Sequence, residues 1–289
     1  MIPASFDYLR PETLEEAIGL LEKHGDEAKL LAGGHSLLPV LKARLASPGV
    51  LIDIGRIPAL SGITRDEKSL IIGAMTTHYQ IESSPEILKL CPLLAETAAE
   101  IGDVQVRNRG TIGGAIAHAD PAADYPAALI ALDAEFVVTG PTGARSYRAE
   151  NFFEGTFETA MAENEILTSV QVPISQDRSG SAYGNEAQQS SGFAICGVAA
   201  IIGLNAEGNV EHASVGITGV TAAAYRATGV ERTILGMKPT EENIADAALH
   251  ATDDVEPFED LYGSADFRRN LARVWTARTL KKAAQEANE

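Results

Sequence analysis

Apolar positions near the start of the chain change period twice. Leu14, Ala17, Ile18 and Leu21 recur at three- and four-residue spacing, which lines one face of a helix. Thr13-Leu-Glu-Glu16 has the form of a capping box. The spacing predicts a helix over 13–24, ended by Gly25, with short strand-like runs at 28–32 and 50–54, so the opening reads as a small β-α-β unit. A further strand is expected at 69–73. Thr77 is placed to cap a short helix that Pro85 punctuates, and 92–101 reads as helical. An alanine-rich helix is predicted over 121–132, with Asp120 as N-cap and Pro121 at its first position. Strands follow at 135–139 and 165–172, the latter on the alternation of Ile166, Thr168, Val170 and Val172. The polar, glycine-containing stretch 175–192 reads as the domain boundary. Beyond it, 193–203 and 210–217 read as strands and 241–252 and 267–287 as helices. The result is an α+β chain in three units, 1–57, 58–176 and 177–289.

Composition narrows the class. The chain has 289 residues, 45% of them hydrophobic, enough for more than one packed unit. No apolar run approaches the roughly 20 residues of a membrane span, and no basic stretch precedes an apolar one at the N-terminus. A soluble, cytoplasmic chain is expected, not an integral membrane protein. Lys and Arg number 23 against 40 Asp and Glu, and the net charge of -17 disfavours nucleic acid and anionic membranes as partners. Cys91 and Cys196 belong to no CxxC spacing. Two cysteines fall short of the four thiolates an iron–sulfur cluster usually takes, so both are read as buried, small apolar residues.

Candidate chemistry concentrates in two segments, Leu31-Ala-Gly-Gly-His-Ser-Leu-Leu-Pro39 and Thr111-Ile-Gly-Gly-Ala-Ile-Ala-His-Ala-Asp-Pro-Ala-Ala-Asp124. A glycine pair lets a ligand approach the main chain, and consecutive amide N–H groups make an anion-binding concavity. Each pair is expected to follow a strand and lead into a helix or turn, where unsatisfied N–H groups favour an anion. The two pairs, with the hydroxyls of Ser36 and Thr111, suggest one diphosphate held from both sides. His35 is placed either to touch the phosphates or to shield them. Asp124, one turn into the predicted helix, is free to accept hydrogen bonds from ligand hydroxyls.

Competing chemistries use the same residues. Gly34-His-Ser-Leu-Leu38 lacks the second glycine of a nucleophile elbow, which counts against a serine hydrolase. His118, Asp120 and Asp124 are possible metal ligands, but capping and hydroxyl binding account for the two carboxylates without a metal. Arg107 and Arg109 are open to phosphate, to a partner's carboxylates or to solvent. His24, His78, His212 and His250 form no constellation and read as surface or satisfied core positions. No GxGxxG follows the first strand and no GxxxxGK occurs, so neither common phosphate scaffold applies.

Ala32-Gly-Gly-His-Ser36 and Thr111-Ile-Gly-Gly114 resemble the two FAD-pyrophosphate motifs of the flavin-binding medium subunits of molybdenum hydroxylases, the xanthine dehydrogenase family. The likeness runs from Phe6-Asp-Tyr8 to Gly219, Tyr225-Arg-Ala and Leu235-Gly236, nearly the whole chain. It is strongest toward the carbon monoxide dehydrogenase branch, where a His after the first glycine pair is typical. The resemblance implies a vanillyl-alcohol-oxidase (PCMH-type) FAD-binding fold of two subdomains, closed by a C-terminal domain of the carbon monoxide dehydrogenase flavoprotein type. It implies noncovalent FAD, with Ala32, Gly33, Gly34, His35, Ser36 and Leu37 on one side of the diphosphate and Thr111, Ile112, Gly113, Gly114 and Ala115 on the other. Asp124 would contact the sugar-alcohol or ribose region and Phe193 would approach the isoalloxazine.

Three departures bear on flavin potential and choice of acceptor. Ala115 stands where many relatives have Asn, Phe193 where some have Tyr, and Asn185-Glu-Ala-Gln188 lacks a lysine often found there. The resemblance further implies a large molybdopterin subunit and a small [2Fe-2S] subunit, in a dimer of heterotrimers. Electrons would leave the flavin for quinone, NAD or oxygen. This chain would then hold no metal and need no catalytic acid or base. The holoenzyme's substrate would be carbon monoxide, an aldehyde or an N-heterocycle. A self-contained flavin oxidase and a noncatalytic nucleotide-binding module are the alternatives from other classes.

Overall fold

The computed structural model describes residues 2–174 and 179–288. Strand β1 (Asp7–Leu9) leads into helix α1 (Leu14–His24), then β2 (Ala28–Leu31), α2 (Leu37–Ala43) and β3 (Val50–Asp53). The three strands form a parallel sheet in the order β1-β3-β2. Helix α1 starts as its sequence requires: Thr13 Oγ accepts the Glu16 N–H, and Gly25 ends it at φ 50°. The Glu16 carboxylate reaches back one residue further than a capping box specifies, to the Glu12 N–H at 2.9 Å. Ala17, Ile18 and Leu21 pack on Val50 and Ile52, so the apolar face of α1 faces this sheet.

Next come β4 (Ile63–Arg65), β5 (Ser69–Gly73), and the helices α3 (His78–Glu82), α4 (Pro85–Leu90), α5 (Pro92–Glu100), α6 (Val104–Arg107), α7 (Ile112–His118) and α8 (Tyr125–Ala131). Strands β6 (Glu135–Gly140) and β7 (Gly143–Arg148) follow, then a small hairpin of β8 (Phe153–Gly155) and β9 (Glu158–Thr159), and β10 (Ile166–Pro173). The antiparallel sheet runs β4-β5-β10-β6-β7. Its core joins Leu70, Ile72 and Val170 to Leu93, Ile112, Tyr125 and Leu129 from the helices. The alternation expected along β10 breaks at Thr168, the extra residue of a bulge against β6. Ile166, before the bulge, therefore packs into the N-terminal core, while Leu167 and Val170 pack into the middle one.

The C-terminal sheet β11-β12-β13-β14 is antiparallel, built from β11 (Ser179–Ala187), β12 (Ala194–Leu204), β13 (Val210–Thr218) and β14 (Tyr225–Arg226). Helices α9 (Thr228–Ile234), α10 (Glu241–Ala248) and the 22-residue α11 (Ala265–Glu286) follow. Tyr183 and Ala199 of this sheet reach into the middle core, and α8 lies against β13.

Three expectations fail here for identifiable reasons. Residues 121–124 are not helical. A helix from 121 would bury Pro126 in its interior, where the ring removes a hydrogen bond and clashes with the preceding turn. The chain instead starts α8 at Tyr125 with Pro126 in its first turn, and Asp120 makes a local turn, its carboxylate accepting the Ala122 N–H at 2.9 Å. Residues 179–187 are a strand paired along its length with β12, not a linker; residues 175–178 of the expected boundary lie outside the described residues. The glycines there serve close approach: a Cβ on Gly180 would sit 2.1 Å from Ala283 O of α11. Third, the second glycine pair follows helix α6, not a strand, and lies within the first turn of α7.

Candidate functional site

The two glycine segments meet. A Cβ built on Gly33 would lie 2.2 Å from Arg109 O and 2.8 Å from Gly110 Cα, and one on Gly114 would lie 3.6 Å from Ala32 Cβ. The loop after β2 and the turn into α7 therefore share one cleft, with backbone against backbone.

Their amides are used differently. In the second segment the Ile112 N–H donates to Thr76 O at 3.0 Å, that of Gly113 to Ala74 O at 2.8 Å, and that of Gly114 to Thr111 Oγ at 3.2 Å. Thr111 is the N-cap of α7, and its hydroxyl, accepting from Gly114, keeps its own O–H to donate. The Ile112 side chain is fully buried in the middle core, so it anchors this turn. In the first segment Gly34 takes φ 79° and its carbonyl accepts the Leu38 N–H at 3.0 Å. Among the described residues the N–H groups of Gly34, His35, Ser36 and Leu37 donate to nothing in the chain. Four consecutive unpartnered amides beside exposed His35 and Ser36 are a run of donors of the kind that can take up an anion.

Behind the second segment lies a residue that the sequence placed in no constellation. His78 is buried, its N–H donates to Gly110 O at 3.0 Å, and its Nδ1 is 3.3 Å from the hydroxyl of fully buried Tyr125. A Cβ on Gly110 would fall 2.5 Å from His78 Nε2, so the glycine makes room for the imidazole. Burial, aided by nearby His35 and Arg107, pushes His78 down to about 4.

Asp124 sits immediately before α8, only 5% exposed. Its Oδ1 accepts the Tyr183 hydroxyl at 2.6 Å and Asn185 Nδ2 at 2.9 Å, both from β11. It is thus committed to the C-terminal sheet through one oxygen, in place of the open position that a longer α8 would have given it. Burial pushes Asp124 up to about 6, with Glu100 of α5 adding to it and the two donors opposing. Phe193, 45% exposed, lies at the β11–β12 connection beside the same segment, since the neighbouring Ala194 N–H donates to Ala122 O at 3.1 Å.

The remaining candidates resolve differently. Arg107 pairs with Glu82 at 2.8 Å and donates to Ile101 O and Gly102 O, so it braces the α5–α6 turn. Ser36 has αR backbone angles, and among the described residues its hydroxyl makes no hydrogen bond to a base that could activate it. His118 stacks on Phe157 with centroids 4.9 Å apart, and among the described residues no three His, Cys, Asp or Glu side chains are grouped to hold a metal. Cys91 and Cys196 are buried, and burial pushes each thiol up to about 12.

Opposite pH slopes follow from His78 and Asp124. Asp124 is raised above its ordinary 3.8, so it contributes stability that is present below 3.8 and lost as pH rises through about 6. His78 is lowered from 6.5, so it contributes stability that is present above 6.5 and lost as pH falls through about 4. Between these limits the two nearly cancel, each with a slope of roughly 1.4 kcal/mol per pH unit. Relative to wild type, His78→Gln is expected to gain stability as pH falls from about 6 to about 4, and Asp124→Asn to lose it. Urea unfolding across that window checks both signs; curves parallel to wild type would contradict them.

Known proteins resemble the chain over its whole length. Residues 4–175 match the model of the FAD binding domain in molybdopterin dehydrogenase, and residues 181–283 that of the CO dehydrogenase flavoprotein C-terminal domain. The carbon monoxide dehydrogenase medium chain of Hydrogenophaga pseudoflava is 44% identical, over 98% of each chain. The 6-hydroxypseudooxynicotine dehydrogenase complex subunit alpha of Paenarthrobacter nicotinovorans is 36% identical, over 99% of this chain and 97% of its own. Among solved structures, carbon monoxide dehydrogenase from Hydrogenophaga pseudoflava lacking the Mo-pyranopterin moiety of its molybdenum cofactor superposes with a TM-score of 0.96, at 44% identity and covering 99% of each chain.

Proposed function

The chain belongs to the FAD-binding medium subunits of the molybdenum hydroxylases, and we propose that it takes electrons from the [2Fe-2S] clusters of a small subunit and delivers them to an external acceptor, quinone, NAD or oxygen. It is the flavoprotein component of an oxidoreductase; the molybdenum and iron–sulfur cofactors reside on partner subunits. FAD supplies the chemistry here, accepting electrons singly and releasing them in pairs.

The observation that carries the cofactor reading is the run of unpartnered amides from Gly34 to Leu37, facing the turn Thr111–Ala115 across a cleft too tight for a side chain on Gly33. Four N–H donors and the Ser36 hydroxyl suit a diphosphate from one side. From the other, the Thr111 hydroxyl, which accepts from Gly114, keeps its O–H to donate. His35 lies beside them as a shield or a further donor. Binding and orientation are this chain's work; none of its residues need move a proton in the substrate's oxidation.

The finer proposals rest on family likeness. The chain works in three units, 1–57, 58–176 and 177–289, within a dimer of heterotrimers completed by a large molybdopterin subunit. It works in the cytoplasm, consistent with no helix among the described residues being long and apolar enough to cross a membrane. Carbon monoxide is the proposed substrate of the holoenzyme; an aldehyde or N-heterocycle is the alternative, because medium chains of unlike substrates align end to end with this one. The purified chain is expected to take up one FAD and turn yellow, with all flavin released on acid precipitation. A chain that stays colourless with excess FAD refutes the reading, and flavin retained in the precipitate refutes the noncovalent part.

A further inference from the structure

We propose that Tyr183 and Asn185 are positioning residues for the cofactor cleft: by holding one oxygen of Asp124 from the C-terminal sheet, they fix the segment leaving α7 and so the orientation of the Thr111–Ala115 turn. The inference builds on the FAD reading above and adds a role for residues that lie outside both glycine motifs.

The segment has little freedom of its own. Helix α7 ends at His118, capped by Ala119 at φ 49°, and five residues separate Ala119 from the start of α8 at Tyr125. Between them, Pro121 O accepts the Gly219 N–H at 2.9 Å and Ala122 O accepts that of Ala194 at 3.1 Å. The Thr218 hydroxyl lies 2.9 Å from both Pro121 O and Ala123 O. Each of residues 121–124 thus has a partner from β12, β13, β11 or the turn after β13, and the only side chain among them that joins in is Asp124.

Tyr183 is itself held from three sides. Its N–H donates to Glu96 Oε2 of α5 at 2.9 Å, its hydroxyl reaches Asp124, and Gly197 of β12 leaves space for that hydroxyl, since a Cβ there would come within 2.4 Å. The same residue therefore ties both to the C-terminal sheet, α5 through its backbone N–H and the end of the α7 segment through its hydroxyl. Asp124 lies fewer than ten residues of backbone from the α7 turn, joined to it through the pinned residues 121–123 and the body of α7.

The charge on Asp124 supplies a signature that packing alone does not. The groups facing it are Tyr183 and Asn185 of β11, Glu100 of α5 and the adjacent Tyr125. An ionised Asp124 is the stronger acceptor for both donors, so the clamp tightens as the carboxyl ionises. Burial sets that ionisation near 6. Removing either donor removes an influence that lowers it, which moves the ionisation upward.

The test is FAD titration of the full chain by flavin fluorescence between pH 5 and 8, with hydrogen exchange of the apo form. Tyr183→Phe is expected to raise the FAD Kd about tenfold at neutral pH, in line with losing a hydrogen bond to a charged group. The affinity of wild type is expected to fall as pH drops through about 6, and the midpoint to move up in Tyr183→Phe and in Asn185→Ala. Exchange is expected to quicken in α7 and 119–124 while α1 and β5 keep wild-type protection. Should Tyr183→Phe fail to fold, Asn185→Ala, on a half-buried residue, decides the matter. Folded variants that bind FAD within twofold of wild type with an unmoved pH midpoint would overturn the inference, as would quickened exchange spread evenly over the chain. Wild type that takes up no FAD overturns the cofactor reading instead, a separate outcome.

Discussion

Gly33→Ala is expected to cost FAD affinity by about ten- to a hundredfold while Gly114→Ala costs far less. The difference lies in what the new methyl group meets. At Gly33 it meets Arg109 O at 2.2 Å and Gly110 Cα at 2.8 Å, backbone atoms that cannot turn aside, so the two loops must part. Overpacking of this kind costs about 1–3 kcal/mol, and each 1.4 kcal/mol is tenfold in binding. At Gly114 the tight contact is a single side-chain atom, Thr111 Oγ at 2.8 Å, which need give by only a few tenths of an ångström and can do so without parting the two loops. The first loop carries the free amides and the second closes on it, so parting them opens the cleft directly. Fluorescence titration of both variants against wild type measures the order. Equal losses would mean that the ligand, not the neighbouring loop, dictates Gly33.

That ordering also marks what could be read from sequence. Two glycine pairs beside hydroxyl residues pointed to a diphosphate cleft, and the structure brings the pairs together. Sequence alone treated them as equivalent phosphate contacts. Whether an amide is free depends on which carbonyls lie behind it, and Thr76 O and Ala74 O come from a distant part of the chain. Helix α1 was legible because its cap, apolar face and terminating glycine are all local. Strand β11 was not, because its glycines signal the approach of α11 a hundred residues later, and locally they look like a linker. Pro126 held the information that 121–124 could not be helical, and the alanine-rich composition obscured it. His78, Tyr183 and Arg268 had no motif to reveal them, since their partners are backbone carbonyls and side chains far along the chain.

Arg268→Ala is expected to lower stability to urea by about 3 kcal/mol, and Arg268→Lys by nearly as much. Arg268, 3% exposed, donates to Ile195 O at 2.7 Å, to Gly219 O and to Asp260 Oδ1 at 2.7 Å, with its guanidinium 4.2 Å from the centre of the Phe258 ring. Breaking a buried charge pair costs about 3–5 kcal/mol; Asp260 is partly exposed, which places this pair at the lower end. The carbonyls of Ile195 and Gly219 would also lose their donor, and an unsatisfied buried acceptor costs about 1–3 kcal/mol where water cannot replace it. Lysine keeps the charge but presents a compact ammonium, which cannot span three acceptors that a planar fork reaches together. These two carbonyls belong to the ends of β12 and β13, whose neighbouring amides pin Pro121 and Ala122. The loss should therefore appear first as faster hydrogen exchange at Ala194 and Gly219, before global unfolding. A destabilisation below about 1 kcal/mol, or full rescue by lysine, would show that this guanidinium is not what ties the two strand ends together.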